Sequence, residues 1–278
     1  MQCERKYKIV ASDLDGTLLG KDHRVSTENM HAISEMRRRS IEFVPISGRT
    51  TGEFPIDIME SDDVKYIIIS NGAVILDKKS GEAVISHYIP RDLLKFITDI
   101  EHKYTTYTLV HENGESYYDK KRHTTQILDA CRINDYYRHM ISTTVKSISE
   151  YDDFVLNSER IEMFCIFFED DASLEECKRL FNANEHLSAV QTAPNNLEVY
   201  LRCAGKGNTL KAFADMLSLD MAEVIAVGDS KNDADMIKAA GLGLCVSNGH
   251  GEVKAVADKV ICDVSEHSAR YILESFIL

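Results

Sequence analysis

The chain is poor in positive charge. Lys and Arg number 32 against 45 Asp and Glu, which gives its 278 residues a formal charge of −13. A surface of that sign repels nucleic acid and anionic lipid, so neither is expected as a partner. No apolar run approaches the roughly 18 residues of a membrane span, and the charged opening MQCERKYKIV is too polar for a signal peptide. A soluble, cytoplasmic protein is expected. The seven cysteines (Cys3, Cys131, Cys165, Cys177, Cys203, Cys245 and Cys262) are odd in number and form no CxxC pair. Several sit in apolar runs such as Met163–Phe168, which argues for buried or free thiols in a reducing compartment and against disulfides or a zinc site. The ten histidines form no HxH or HExxH spacing, so none is assigned to metal. Internal repeats and low-complexity tracts are also missing, and no obligate protein partner is evident.

What is present is ordinary globular material, 44% hydrophobic and 28% charged, with a length between one large domain and two modest ones. Tyr7–Ser12 is a short apolar run. Ser26 reads as an N-cap, with Met30, Ile33 and Met36 as a helical stripe ending at Arg37-Arg38-Arg39. Ile41–Ile46 and Tyr66–Ser70 are further strands. Continuous apolar strands separated by helices imply a parallel sheet covered on both faces.

The middle reads differently. Ala73–Leu76 and Ala83–Ile85 flank a turn at Asp77–Gly81, and Tyr107–Glu112 and Glu115–Tyr118 flank Asn113-Gly114, both hairpin patterns. Lys120-Lys121-Arg122-His123 reads as a solvated loop. The last ninety or so residues return to the first rhythm, with strands at Val224–Val227, Leu242–Val246 and Val260–Cys262 between helical segments. The expected architecture is α/β: a discontinuous Rossmann-like parallel-sheet core, residues 1–86 and 188–278, with an inserted α+β cap, residues 87–187.

In Asp13-Leu14-Asp15-Gly16-Thr17-Leu18, two carboxylates stand two residues apart at the end of a buried strand. In extended backbone they would project to one side, at the sheet edge where ligands of open parallel sheets bind. Adjacent carboxylates repel, so one holds a proton unless a cation lies between them. That suits a division of labour, with Asp13 as nucleophile and Asp15 moving protons. Val227–Asp233 repeats the geometry at a second strand end, with Asp229 at the tip and Asp233 in the following helical turn. A few such carboxylates plus a substrate phosphate complete the hard oxygen shell that Mg²⁺ prefers. Ser47 and Gly48 end another strand, with a hydroxyl and an amide suited to phosphate oxygens. Lys206, between two glycines at a helix start, stands against the helix dipole and makes sense if it meets an anion. An anionic substrate on so acidic a protein also requires a local positive site, which a bound divalent cation supplies.

These pieces in this order resemble the haloacid dehalogenase-like hydrolases. DxDGT matches Asp13–Thr17, a strand-ending Ser matches Ser47, the lysine of the third motif matches Lys206, and GDxxND matches Gly228–Asp233. The insert between the second and third motifs resembles the Cof-type subfamily with its α/β cap. Local similarity extends to Asn71-Gly72-Ala73 and to Ala240–Gly243 with Asn248 downstream. The resemblance implies Asp13 as nucleophile and metal ligand, and Asp15 as general acid/base that offers its main-chain carbonyl to Mg²⁺. It implies Asp229 as the third protein ligand, with Asp233 behind it, and Ser47, Gly48, Lys206 and Asn232 as the phosphate holders. The implied activity is Mg²⁺-dependent hydrolysis of phosphate monoesters of small metabolites, such as sugar phosphates, through an aspartyl phosphate. A phosphomutase or phosphotransferase would use the same intermediate. A non-catalytic regulatory module is opposed by the intact Asp13, Asp15, Lys206 and Asp229.

Overall fold

The computed structural model describes residues 6–20 and 23–278, so Cys3 and the first half of the opening segment lie outside the described residues. The chain opens with strands β1 (Ile9–Ser12), β2 (Glu42–Pro45), β3 (Tyr66–Ile69), β4 (Val74–Asp77) and β5 (Glu82–Ser86). There follow β6 (Thr106–Glu112), β7 (Glu115–Asp119), β8 (Lys146–Ile148), β9 (Ile161–Phe168), β10 (Leu187–Val190) and β11 (Asn196–Leu201). The last three are β12 (Val224–Gly228), β13 (Leu242–Cys245) and β14 (Lys259–Val260). Contacts divide the chain into two units: residues up to Gly48 with Phe54–Ser86 and Gly205–Leu278, and Arg49–Glu53 with His87–Ala204.

The first unit is built on a five-stranded sheet of order β14-β13-β12-β1-β2, parallel throughout. All four residues of β1 are buried, as an apolar central strand covered on both faces must be. Ser12 lies level with Val227 on one side and Pro45 on the other. The ladder continues one step further, Asp13 N–H donating to Val227 O (3.0 Å) and Ile46 N–H to Ser12 O (2.8 Å). Three adjacent strands therefore end at one level, and residues 13, 46–47 and 228–229 leave the same carboxyl edge. Ile9, Ala11, Val44, Phe213, Ala226 and Ile237 belong to the core beneath it.

Two expectations shift. The helix Thr27–Arg38 is capped by Ser26 and ends on Arg37 and Arg38, but its buried face is Asn29, Ala32, Ile33 and Met36 rather than one including Met30. Asn29 goes inside because both ends of its amide are paired: Nδ2–H donates to Leu18 O (3.2 Å) and Oδ1 accepts from Ala269 N–H (3.0 Å). β3 heads an antiparallel sheet of order β3-β4-β5, joined to the end of β2 by a parallel bridge between Ile46 and Ile68.

The second unit carries a six-stranded sheet of order β10-β11-β9-β6-β7-β8, antiparallel apart from the β7–β8 pair. Asn113 and Gly114 both take positive φ (51° and 78°), as a two-residue hairpin turn requires. One face buries Leu94, Ile97, Val155, Phe164, Phe181 and Val199 in a common core. The return to the first unit, expected at 188, comes at Gly205 instead. β10 pairs with β11, and β11 pairs with β9 (Val199 opposite Phe164), so both are strands of the inserted sheet. Residues 49–53 also belong to this unit. Thr51 N–H donates to Gly114 O (3.0 Å) and Ser116 Oγ–H to Glu53 Oε1 (2.7 Å).

Cys131, Cys165, Cys177, Cys203, Cys245 and Cys262 are free thiols, with Cys203 exposed. Among the described residues no helix is long and apolar enough to cross a membrane.

Candidate active site

Asp13 is 5% exposed at the tip of β1. The chain then turns sharply: Leu14 O accepts from the N–H groups of Thr17, Leu18 and Leu19 (3.3, 3.0 and 2.9 Å). Gly16 permits this turn with φ 77°, and a Cβ there would stand 2.6 Å from Asp229 Oδ2. A side chain would thus be doubly refused, by the left-handed backbone and by the carboxylate. Thr17 Oγ1 reaches Asp229 Oδ1 at 3.4 Å. Because the strand ends before Asp15, the rule of same-side projection no longer governs it. Its carboxylate is half-exposed, 3.9 Å from His23 Nδ1.

β12 delivers Asp229, and Ser230 starts a helical turn closed by Asp233 through a capping box. Asp233 Oδ2 accepts from the N–H groups of Asp229 and Ser230, both at 3.0 Å. Its Oδ1 accepts from Lys206 Nζ at 2.6 Å. With both oxygens engaged, Asp233 braces the loop that carries Asp229.

Lys206 is 1% exposed at the first position of the helix Lys206–Met216, behind Gly205. The anion it meets is internal: Nζ donates to Asp13 Oδ1 (2.6 Å) as well as to Asp233. Burial alone would push the lysine down, yet the two carboxylates together hold it well above its ordinary value. Oxygens of Asp13, Asp229 and Asp233 lie within 4.8 Å of one another. One ammonium cannot neutralise three carboxylates. Burial, then Asp233, holds the Asp13 carboxyl well above the usual range, more than Lys206 lowers it. Burial and Asp233 likewise push Asp229 up to about 6. Asp13 Oδ2 is buried with no hydrogen-bond partner. An unpartnered carboxylate oxygen in a cluster with surplus negative charge fits a hard divalent cation. The Asp15 carboxylate is not among the grouped oxygens.

Ser47 is 2% exposed at the end of β2, its N–H donating to Ile68 O (2.9 Å) and its carbonyl accepting from Asn71 N–H (2.9 Å). Asn232 Nδ2–H donates to Asn71 Oδ1 at 3.0 Å, and Ser230 Oγ–H donates to Asn232 Oδ1 at 2.8 Å. Asn71, marked in the sequence only by the local similarity of Asn71-Gly72-Ala73, thus joins these residues. The usable signal was a buried-strand ending on a polar Ser-Asn-Gly. Asn248 steadies the Asp13 loop: its Nδ2–H donates to Gly16 O (2.7 Å) and its Oδ1 accepts from Val264 N–H (2.9 Å).

The family model described as haloacid dehalogenase-like hydrolase matches residues 10–273. Phosphatase YwpJ of Bacillus subtilis (strain 168) is 29% identical over 287 residues, covering 97% of this chain and 100% of its own. The 5-amino-6-(5-phospho-D-ribitylamino)uracil phosphatase YcsE of the same organism is 27% identical over 256 residues, 91% of this chain and 89% of that one. A solved haloacid dehalogenase-like hydrolase from B. subtilis aligns with a TM-score of 0.83 and 27% identity over 97% of this chain and 100% of that one. The match runs from β1 past the last strand of the parallel sheet, and the chain belongs to the haloacid dehalogenase-like hydrolases.

Proposed function

We propose that this hydrolase is a Mg²⁺-dependent phosphatase that cleaves phosphate monoesters of small metabolites through an aspartyl phosphate on Asp13. One observation carries the reading: a buried lysine shared by Asp13 and Asp233, with Asp229 alongside, at the carboxyl edge of a parallel sheet. The names of YwpJ and YcsE support the phosphatase class, and YcsE by its name acts on a small phosphorylated polyol derivative.

Asp13, Asp229 and the main-chain carbonyl of Asp15 would hold the metal, with Asp233 fixing the Asp229 loop. Bound Mg²⁺ supplies positive charge that admits the phosphate and stabilises its oxygens during transfer. Asp13 attacks phosphorus, forming the acyl phosphate as the bond to the leaving oxygen breaks, and Asp15 gives that oxygen its proton. Asp15 then takes a proton from water as it attacks phosphorus, which releases inorganic phosphate and restores Asp13. Lys206, Asn232, Ser47 and the Gly48 amide orient the phosphoryl oxygens. The half-exposed position of Asp15 suits a group that exchanges protons with solvent between steps. The free thiols among the described residues suit a cytoplasmic location.

The test is phosphate release from p-nitrophenyl phosphate and a panel of phosphorylated metabolites, with no second acceptor present. Mg²⁺ should support turnover, chelation should abolish it, and Ca²⁺ should bind without restoring it, since its longer, more numerous bonds can occupy both Asp13 oxygens. Full activity in chelator, with elemental analysis confirming metal-free protein, would remove the metal. Phosphate release only on adding a hydroxyl acceptor would make the protein a phosphotransferase.

A further inference from the structure

Ser70, Asn71 and Gly72 follow β3 with three successive positive φ values, 50°, 54° and 96°. Ser70 and Asn71 are completely buried. Serine has no preference for this conformation and asparagine only tolerates it, so something must hold the turn. Its bonds run to the loops that carry the phosphate side of the site. Asn71 N–H donates to Ser47 O (2.9 Å), and Asn71 Oδ1 accepts from Asn232 Nδ2–H (3.0 Å). Gly72 O accepts from Thr209 Oγ1–H (2.7 Å), one turn after Lys206. A Cβ at Gly72 would lie 2.8 Å from Gly205 O, so the turn is pressed against the start of the lysine helix.

The bond to Asn232 has a specific consequence. A primary amide offers one acceptor oxygen and two N–H hydrogens. In Asn232 the oxygen accepts from Ser230 Oγ–H and one hydrogen is given to Asn71, which fixes the plane of the amide and the direction of its second hydrogen. We propose that Asn71 is a positioning residue: its side-chain oxygen holds the Asn232 amide so that the second hydrogen is presented to a phosphoryl oxygen of the substrate. The proposal rests on the phosphatase reading. Asn71 acts on the reaction through Asn232, and its backbone separately ties down Ser47.

A double-mutant cycle on the full-length, Mg²⁺-loaded protein tests this, with p-nitrophenyl phosphate as substrate and inorganic phosphate as competitive inhibitor. Asn71→Gly keeps the left-handed backbone and the N–H to Ser47 and removes only the side chain. Losing an aligned hydrogen bond to a charged group should lower kcat/KM roughly tenfold. Most of that should appear in KM, with a matching weakening of phosphate inhibition. Asn232→Ala should produce a similar loss, and the double variant should be no worse than Asn232→Ala alone. Asn71→Asp keeps an acceptor oxygen and a residue type that tolerates positive φ. In that background Asn232→Ala should cost what it costs in the wild type, a comparison that stands even if Asn71→Gly does not fold. Additive losses in the first cycle, or no cost of Asn232→Ala in the Asn71→Asp background, overturn the proposal while leaving the phosphatase reading intact. A wild-type protein that releases no phosphate from any panel member overturns that reading, and this proposal with it.

Discussion

Asp13 in the parallel-sheet unit and Glu101 in the inserted unit share most of their local chemistry. Each is almost completely inaccessible to solvent, at 5% and 1% exposure. Each has one carboxylate oxygen with no hydrogen-bond partner, and burial pushes each carboxyl above its ordinary range. The second oxygen of each meets a base: Lys206 at 2.6 Å for Asp13, and Arg122 at 3.4 Å, with the Thr108 hydroxyl, for Glu101. What differs is the company. Two more carboxylates converge on Asp13 within 4.8 Å, whereas Asp152 is only the weakest influence on Glu101. A single proton relieves Glu101. Protonating one member of the Asp13 cluster leaves two more competing for one lysine, and that surplus calls for a divalent cation. A buried, half-satisfied carboxylate is therefore not a functional marker by itself; convergence is.

The sharpest way to break this comparison is to neutralise Asp13. Asp13→Asn should cut kcat by at least about a thousandfold, because an amide cannot form the acyl phosphate. Its Oδ1 can still accept from Lys206, so the fold should persist. In chelator the variant should melt higher than the wild type, since one repelling charge is gone from the cluster. Thermal melts with and without chelator, beside steady-state kinetics on a contaminant-free preparation, decide the matter. Retained turnover would refute the nucleophile, and a lower melting temperature in chelator would refute the surplus charge.

Removing the base instead should act on stability. Lys206→Met keeps the volume of the side chain but strands Asp13 and Asp233 in the interior. Breaking a buried pair from one side costs about 3–5 kcal/mol, and here the loss should be larger in chelator than in Mg²⁺. Denaturant unfolding in the two conditions measures it. Equal losses in both would mean that the metal does not share the charge of this cluster.

How far the sequence could be read follows the range of the interactions. Asp13–Thr17 and Gly228–Asp233 were legible because each is a contiguous run, and two strand ends were enough to bring them together. Lys206 was legible as an anomaly, a cation at a helix start, although its partners were not. The failures are cases of distant pairing. β11 reads like any short strand, and only its ladder to β9, some thirty residues earlier, assigns it to the inserted unit. Arg49–Glu53 directly follows Ser47 and Gly48 beyond β2, yet its hydrogen bonds go to Gly114, Ser116 and Tyr136. Lys120–His123 reads as a solvated charge run, and Lys120, Lys121 and His123 are exposed, but Arg122 turns in to Glu101 and His123 Nδ1 meets Tyr107 OH at 2.8 Å. Local composition carries no record of a partner twenty residues away.

The smallest expected effect tests the other side of the comparison, whether Glu101 is relieved by a proton. Glu101→Gln leaves an oxygen for Thr108 and Arg122 and puts an amide where the unpartnered oxygen was. Because burial raises the Glu101 carboxyl in the fold above its ordinary 4.5, the native state binds the proton more tightly than the unfolded chain. The stability this contributes is fully present below the unfolded value and is lost as pH rises through the folded one. Glutamine does not titrate. The two proteins should therefore melt most alike at about pH 4.5, and the variant should gain on the wild type as pH rises, levelling off once native Glu101 is ionised. Every other titrating group is common to both proteins and cancels in the difference. For a chain of this size each kcal/mol appears as roughly 2–4 °C in Tm, so melting curves between pH 4.5 and 8 resolve the effect. If the wild type gains on the variant as pH rises, Glu101 is held ionised by Arg122. Its resemblance to Asp13 would then end at burial, and an unpartnered oxygen beside a base would be an ordinary ion pair.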